Sequence, residues 1–292
     1  THATLHNADQ IERLGLRIGD TVIVSRAGDV IPQVTRVLTA FRTGSERVFS
    51  MPAACPIDGS PVIRDGVAHR CSNPSCGARH LEQLRHFVSR AAFNIVGMGP
   101  KVLEAFIEEG LISDAADIFM LNEGDISVIE RFGEKSAEKI VREVREKRRV
   151  SLPRFLYALG ILQVGEEMAR VLAGFVADRI VSSSREALPS VVGDILRSTS
   201  DEELRGLPDV GPKVAASIAA WFCDERHVRL LARLDDALVR VVLEDRGVPA
   251  RGSLTGRSFV LTGVLRSMTR DEAKERIRAQ GGEVHETVGA KT

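Results

Sequence analysis

A recurring glycine at the start of helical segments is the feature that most constrains the fold of this 292-residue chain. Four segments share a pattern in which apolar residues and glycine separate one helical stretch from the next. The glycine that opens the second helix of each pair is Gly99, Gly133, Gly165 or Gly211, so the steps are 34, 32 and 46 residues. Repeats at this spacing are typical of stacked helical units, and we predict four helical hairpins.

These hairpins carry the elements of a phosphate-binding site. Glycine has no Cβ and tolerates positive φ, so the backbone can approach a ligand closely. The first amides of a helix lack internal partners and lie at the positive end of the helix dipole, which favours an anion. A lysine follows the glycine at the same offset in three hairpins. The predicted DNA-binding residues are Gly97, Gly99, Lys101, Gly133, Lys135, Gly211 and Lys213.

The hairpin at Gly165 differs, because Glu166 and Glu167 follow its glycine. We expect this hairpin to pack against protein and not against DNA. Contacts between backbone amides and phosphates carry no base information, so the predicted binding is independent of DNA sequence. The alternative for all four glycines is a structural role as helix caps in a bundle that binds no DNA.

Charge and composition restrict the other functions. Lys plus Arg and Asp plus Glu are each 40, and the resulting net charge of zero by itself counts against a nucleic-acid binder. We retain DNA binding because it depends on backbone amides more than on side-chain charge. The sequence has no run of 18 apolar residues, which argues against a membrane span. It begins without a signal-peptide pattern or an initiator Met, so we expect a cytoplasmic chain cut from a longer one.

Three of the four cysteines cluster in a segment rich in turn residues, a pattern that favours a metal site over disulfides in a cytosolic chain. Two knuckles can present four ligands tetrahedrally to Zn²⁺, and carboxylate oxygen can replace sulfur. The predicted ligands are Cys55, Asp58, Cys71 and Cys76. His69 and His80 are rival fourth ligands, and a metal-free loop is the alternative. The remaining cysteine, Cys223, is expected to be a small buried apolar residue.

Composition and periodicity divide the chain into regions. The predicted regions are strands at 1–50, a metal-stapled loop unit at 51–80, an almost entirely helical stretch at 81–244, a flexible linker at 245–255 and a βαβ unit at 256–292. The expected strands are 21–24 and 30–37 in the first region and 258–262 and 283–288 in the last, where they flank a helix at 270–280.

Short patterns along the whole chain occur in a recognisable order. They are Ala3-Thr4-Leu5-His6-Asn7, Gly19-Asp20-Thr21-Val22, Arg26-Ala27-Gly28-Asp29-Val30-Ile31-Pro32, the cysteine knuckles, His86-Phe87-Val88-Ser89-Arg90, residues 154–161, the four hairpins, Val260-Leu261-Thr262-Gly263 and Arg270-Asp271-Glu272-Ala273. This order resembles that of the bacterial NAD-dependent DNA ligases. The resemblance implies a multidomain, mainly α chain. Its parts would be a partial OB-fold at 1–50, a zinc finger at 51–80, a tandem helix-hairpin-helix domain at 81–244 and a partial BRCT domain at 256–292.

The same resemblance implies the DNA-binding half of an enzyme that seals nicks in duplex DNA during replication and repair. Its reaction passes through ligase–AMP and DNA–adenylate intermediates. The nucleotidyl-acceptor motif Lys-x-Asp-Gly is absent here, so we expect no catalytic residue and no self-adenylation in this chain. NAD and Mg²⁺ are expected to bind outside it, whereas a structural Zn²⁺ is expected within it. The expected partner is nicked duplex DNA, bound by a monomer without membrane attachment.

Two further sites follow from the resemblance. Arg26 and Asp29 are candidates for contacts near the nick, with a salt-bridged turn as the alternative. Thr262, Gly263 and Lys291 stand where phosphate-binding BRCT domains hold a phosphate. The family's second zinc cysteine falls on Asp58, which departs from the pattern. The rival functions are a non-enzymatic helix-hairpin-helix and BRCT scaffold on DNA and a helical protein-interaction fragment.

Overall fold

A computed structural model describes residues 2–27, 31–130, 132–180, 185–243, 253–263, 265 and 267–285. Asp29, Lys291, most of the expected linker at 245–255 and the end of the expected last strand lie outside these residues. No helix in the described ranges is both long and apolar enough to cross a lipid bilayer.

The N-terminal region contains one helix and two strand pairs. Its elements are α1 (Ala8–Leu14), β1 (Arg17–Ile18), β2 (Val22–Ala27), β3 (Ile31–Val37) and β4 (Arg47–Val48). The antiparallel pair β2–β3 corresponds to the two predicted strands. The short pair β1–β4 and helix α1 were not predicted. The N-cap of α1 is Asn7, whose side chain accepts a hydrogen bond from the Gln10 amide. Its C-cap is Gly15, which has a left-handed φ of 58°.

An ion pair holds the loops of this region together. Both oxygens of the fully buried Asp20 side chain accept from Arg42, Oδ1 from Nε at 2.7 Å and Oδ2 from Nη2 at 2.8 Å. The Arg17 amide donates to Asp20 at 2.7 Å, and Arg42 Nη2 also donates to the Gly15 carbonyl. The Arg42 guanidinium lowers the pKa of Asp20 from 3.8 to about 2. This pair joins the end of α1 to the β1–β2 turn and the segment at residue 42.

A small hairpin and a helix form the next unit. Strands β5 (Val62–Asp65) and β6 (Ala68–Cys71) pair antiparallel, and α2 (Gly77–Val88) starts directly after Cys76. Arg64 of β5 reaches back to Asp9 of α1 at 2.9 Å. The hairpin therefore ends at Cys71, beside the cysteine that starts the helix.

The remaining helices share one apolar core, which extends from Leu84 to Val241. The helices are α3 (Pro100–Glu108), α4 (Glu123–Ser127), α5 (Glu134–Glu146), α6 (Leu152–Ala158), α7 (Glu166–Ala177), α8 (Pro189–Ser198), α9 (Asp201–Arg205), α10 (Pro212–Cys223) and α11 (Glu225–Asp236). Buried aliphatic side chains dominate this core, and Phe87, Phe93 and Phe119 form an aromatic cluster within it. Burial of each large apolar side chain contributes roughly 1.5–3 kcal/mol, so the relative positions of the helices are firmly set.

A three-stranded sheet, which the sequence did not predict, lies within the almost entirely helical region. Strand β9 (Arg240–Val242) lies between β7 (Arg149–Ser151) and β8 (Glu186–Ala187), parallel to the first and antiparallel to the second. The strands are two or three residues long, too short for a periodic signal. They connect the end of the helical region to its middle.

Cys223 is exposed, so the prediction that it is buried is wrong. Trp221 and Phe222 occupy the buried positions of this helix turn, and Cys223 ends α10. The apolar run of the sequence is longer than the face that the helix can bury.

The C-terminal region forms a βαβ unit, as predicted. Parallel strands β10 (Ser258–Val260) and β11 (Glu283–His285) flank α12 (Arg270–Ala279). Gly282 is required by packing, because a Cβ there would lie 2.8 Å from Ile277 Cγ2 and 3.0 Å from Phe259 Cε2.

We predict that Asp20 titrates near pH 2 in the folded chain, as measured by NMR of its side-chain carboxyl carbon. Its folded pKa lies below the ordinary value of 3.8, so its stabilising effect is present above pH 3.8 and is lost as pH falls through about 2. Replacing Arg42 by Gln should return the Asp20 pKa toward 3.8. Arg64→Gln, which removes another arginine–aspartate pair, is the control and should leave it near 2. An unchanged Asp20 in Arg42→Gln would contradict the assigned cause.

Candidate nucleic-acid interface and metal centre

Four long helices start directly after the four recurring glycines. Helices α3, α5, α7 and α10 have Gly99, Gly133, Gly165 and Gly211 as their N-cap residues. None of these N-caps has a side-chain hydrogen bond, because glycine has no acceptor to offer. Pro100 and Pro212 have no amide hydrogen, and the amides of Val102, Ser136 and Val214 donate to the N-cap carbonyls. The amides left for an anion at α3, α5 and α10 are therefore chiefly those of Lys101, Lys135 and Lys213.

The predicted conformational reason for these glycines is wrong. All four have φ between −69° and −90°, which any residue can adopt. The left-handed residue lies two positions earlier, as Gly97, Gln163 and Asp209 with φ of 97°, 67° and 60°. In addition, no described atom lies within 4 Å of the place that a Cβ would take at any of the four N-caps. The fold therefore leaves open space above each glycine, room that a ligand can occupy.

Lys101, Lys135 and Lys213 are the second residues of α3, α5 and α10, and all three are exposed. No hydrogen bond or ion pair within the described ranges engages their ammonium groups. Each is free to reach an anion bound at its own helix start.

The first two hairpins contact each other. The Val96 amide donates to Glu143 Oε1 on α5 at 3.5 Å, and Ile140 lies 3.8 Å from the Cβ position of Gly97. An open groove of about 360 Å³ lies beside the first hairpin, with Arg85 and Ser89 among its lining residues. Arg85 and Ser89 were not singled out from the sequence, because only the folded chain brings α2 alongside this loop.

The third hairpin packs on protein through its first half only. Gly160, with φ 64°, places its Cβ position 3.5 Å from the His86 ring, and His86 Nε2 donates to the Tyr157 carbonyl at 2.7 Å. Its tip is uncovered, because Leu162 is 50% exposed and the space above Gly165 is open. Glu166 and Glu167 are exposed at the helix start. Glu167, which stands where the other three hairpins have lysine, distinguishes this hairpin.

The four predicted metal ligands lie together. The ligand atoms of Cys55, Asp58, Cys71 and Cys76 are all within 4.8 Å of one another. The Cys55 and Cys76 sulfurs are 3.8 Å apart, and Cys71 Sγ lies 3.5 Å from Asp58 Oδ1. Tetrahedral Zn²⁺ with its usual bond lengths needs edges of about 3.8 Å between two sulfurs and about 3.5 Å between sulfur and oxygen. These residues therefore fit zinc after a small contraction of the longest edge.

The local charges also favour a cation. Burial and the neighbouring Cys55, Cys76 and Asp58 groups raise the pKa of the Cys71 thiol to about 11. Backbone amides of Ile57 and Asp58 lower the pKa of Cys55, and the Ser60 amide and Asn73 lower the pKa of Asp58. A divalent cation would stabilise the deprotonated forms of these thiols together with the carboxylate.

The rival histidines are not part of the cluster. Neither His69 nor His80 belongs to the group of ligand atoms within 4.8 Å of one another. His80 Nε2 is buried without a hydrogen-bond partner among the described atoms. Asp58 is thus the fourth ligand that the geometry favours.

The other predicted site residues are only partly described. Arg26 is an exposed residue of β2, and its suggested neighbour Asp29 lies outside the described residues. Thr262 and Gly263 are exposed after β10, and Arg270 donates to the Gly263 carbonyl at 2.8 and 3.0 Å. Lys291 lies outside the described residues, so the suggested site of Thr262, Gly263 and Lys291 stays a prediction.

Three parts of the chain match models of known families. Residues 1–46 match the NAD-dependent DNA ligase OB-fold domain, residues 90–146 match a tandem helix-hairpin-helix domain, and residues 250–292 match the BRCA1 C-terminus (BRCT) domain. A protein named DNA ligase from Nitrosococcus oceani is 42% identical over 99% of this chain and 41% of its own length. The resemblance to the NAD-dependent DNA ligases is confirmed. The expected mainly helical, multidomain architecture is confirmed with it.

Other relatives give the same picture. DNA ligases from Pelotomaculum thermopropionicum and Geobacter metallireducens are 40% and 39% identical over the whole of this chain and 41% of their own lengths. The chain thus spans about two fifths of the length of these ligases, and the part that it matches includes the glycine hairpins and the cysteine cluster.

We predict that the purified chain contains one zinc per molecule, measured by elemental analysis. Asp58→Ala should lose most of it, because one tetrahedral ligand is removed, whereas Asp58→Cys should retain it. The matched control is Asp65→Ala, since Asp65 is exposed in the neighbouring β5–β6 hairpin and, among the described residues, its carboxylate forms an ion pair only with Arg70, at 3.2 Å. Full zinc in Asp58→Ala together with loss in His80→Ala would make His80 the fourth ligand instead.

Proposed function

We propose that this chain is the DNA-binding part of an NAD-dependent DNA ligase and that it binds nicked duplex DNA through contacts with the DNA phosphates. The observation that carries the proposal is the set of uncapped helix starts with open space above them, three of them followed by a free lysine. The whole enzyme would seal nicks using NAD and Mg²⁺, which would bind outside these residues. It would act as a monomer in the cytoplasm.

Each basic hairpin would bind one phosphate group. The backbone amides of Lys101, Lys135 and Lys213 would donate to the phosphate oxygens, and the ammonium groups of the same residues would add an ion pair. An anion at a helix start gains typically 0.3–1 kcal/mol from the dipole alone, and each charge-assisted hydrogen bond adds roughly 1.5–3 kcal/mol. Several hairpins together can therefore give firm binding without contacts to the bases.

The third hairpin would not bind DNA. Its helix start also offers backbone amides, but Glu166 and Glu167 place two carboxylates there. Repulsion between these carboxylates and phosphate opposes the dipole. This hairpin is therefore the internal control for the proposal.

The other parts would support the grip. A zinc-bound cluster would fix the hairpin β5–β6 to the start of α2. Arg26, an exposed residue of β2, and Asp29 would contact DNA near the nick. Thr262, Gly263 and Lys291 would form a phosphate site in the BRCT region.

We predict that Asp at Gly99, Gly133 or Gly211 raises stability and weakens DNA binding. The new carboxylate would cap the free amides, which stabilises a helix start by about 0.5 kcal/mol. It would also occupy the phosphate position and repel phosphate, so the Kd for a nicked duplex should rise at least tenfold, about 1.4 kcal/mol. Thermal unfolding and fluorescence anisotropy with labelled DNA measure the two effects.

Gly165→Asp is the matched control for this series. It has the same N-cap geometry and the same open space, so it should give the same gain in stability. Its DNA affinity should stay unchanged, because the third hairpin does not take part. If Gly165→Asp weakens binding as much as the others, or if none of them does, the proposed hairpin contacts are wrong.

We predict a shallow salt dependence that depends on the three lysines. Binding falls with salt by roughly 0.9 in logarithmic slope for each phosphate neutralised by a side chain. Replacing Lys101, Lys135 and Lys213 together by Gln should remove about 2.7 from the magnitude of that slope. Lys147→Gln is the control, because Lys147 lies after the far end of α5 and pairs with Glu143.

The same titrations distinguish the alternative functions. Nicked duplexes of two unrelated sequences should bind with equal affinity, because amide–phosphate contacts do not depend on the bases. No binding to any duplex would favour the protein-interaction alternative. An unchanged slope in the triple variant would show that other side chains carry the contact.

A further inference from the structure

The Asp58 carboxylate is held by two donors from opposite sides of the metal cluster. The Ser60 amide donates to Oδ1 at 2.9 Å, and Asn73 Nδ2 donates to Oδ2 at 2.9 Å. Asp58 and Ser60 belong to the first knuckle, whereas Asn73 belongs to the second. The carboxylate is therefore anchored across the site by a residue that is not itself a ligand.

The orientation of the Asn73 amide group is fixed. Its Oδ1 accepts the Ser75 amide at 2.9 Å, which leaves Nδ2 to face Asp58. Arg79 Nη1 further holds the same loop, donating to the Cys71 carbonyl at 3.2 Å and to the Asn73 carbonyl at 3.4 Å. The Asn73 side chain is thus held as a donor to Asp58 by contacts that do not involve Asp58.

A carboxylate needs such an anchor more than a thiolate does. It has two oxygens and can rotate, so a free Asp can ligate in several ways or turn to water. Asp58 is also exposed, unlike the buried Cys55 and Cys76. Cys71 Sγ lies 3.5 and 3.6 Å from its two oxygens, so the carboxylate plane alone does not select one of them.

We propose that Asn73 is the positioning residue that makes Asp58 an effective zinc ligand, so that Asp58 and Asn73 function as a pair. The inference rests on the proposed zinc site and adds a second residue to it. The Nδ2 hydrogen bond engages one lone pair of Oδ2, stops rotation and leaves the carboxylate a lone pair directed at the metal. Hydrogen-bond partners of metal ligands typically contribute a tenfold to 100-fold effect on metal affinity.

A double-mutant cycle on the whole chain tests this pair. The four proteins are the wild type, Asn73→Ala, Asp58→Cys and the double variant, and the readout is the zinc dissociation constant from competition with a chromogenic chelator. Asn73→Ala should weaken zinc binding roughly tenfold to 100-fold when Asp58 is present. In the Asp58→Cys background the same change should have an effect of less than threefold, because no carboxylate remains to be oriented.

The comparison of the two backgrounds also separates the effect of Asn73 on Asp58 from its effect on the conformation of the loop. Asn73→Ala loses the Ser75 contact in both backgrounds, so that loss cancels in the comparison. Equal losses in both backgrounds would mean that Asn73 only shapes the loop, and this would overturn the inference. Failure of the wild type and of Asp58→Cys to bind zinc at all would instead overturn the zinc site itself.

Discussion

The unpaired amides at the starts of α3, α5 and α10 are the interaction on which the proposed DNA grip depends. A helix start without a capping side chain leaves polar donors unsatisfied, and these donors need water or an anion. Side chains cap α1, α4, α9 and α11, and at α9 Ser200 and Glu203 form a capping box. Helices α2, α6 and α8 have no side-chain cap either, so the glycine caps differ from these by the open space above them and, at α3, α5 and α10, by the lysine that follows.

Amides on several helices can bind the phosphates of one DNA backbone together only if the helices keep fixed positions relative to one another. The apolar core supplies most of this rigidity, and polar ties add to it. Arg233 of α11 donates to Asp117 at 2.6 Å and also to Asp114, which joins the last helices to the turn between the first two hairpins. The strand pair β7–β9 closes the same region from the other side. The hairpins thus project from one body, and their spacing is set by the core.

The sequence predicted the helix starts well because glycine spacing and helix-start residues are local signals. Pro100 and Pro212 occupy first helical positions, and the four helices begin directly after the glycines. The strands β7, β8 and β9 could not be predicted, since two or three residues have no period and their partners are far away in sequence. The left-handed turn residues Gln163 and Asp209 were missed because neither type signals that conformation strongly. Asn73 was missed because its role exists only once the two knuckles meet.

The net charge of zero is a poor guide to binding here, because both candidate sites depend on the charges and dipoles within the site and not on the total charge of the chain. In the proposed function, three hairpins attract anions with neutral amides and one lysine each, and Glu134 offsets the lysine of α5, so the hairpins add little to the formal charge. The metal cluster does the opposite, because three cysteines and a carboxylate within 4.8 Å of one another can hold a cation. In the proposed function, the carboxylates of Glu166 and Glu167 oppose the dipole field of the third hairpin, and salt confines such effects to about a Debye length, roughly 10 Å. On this proposal the position of each charge relative to a helix start, and not the total charge, decides which hairpins bind DNA.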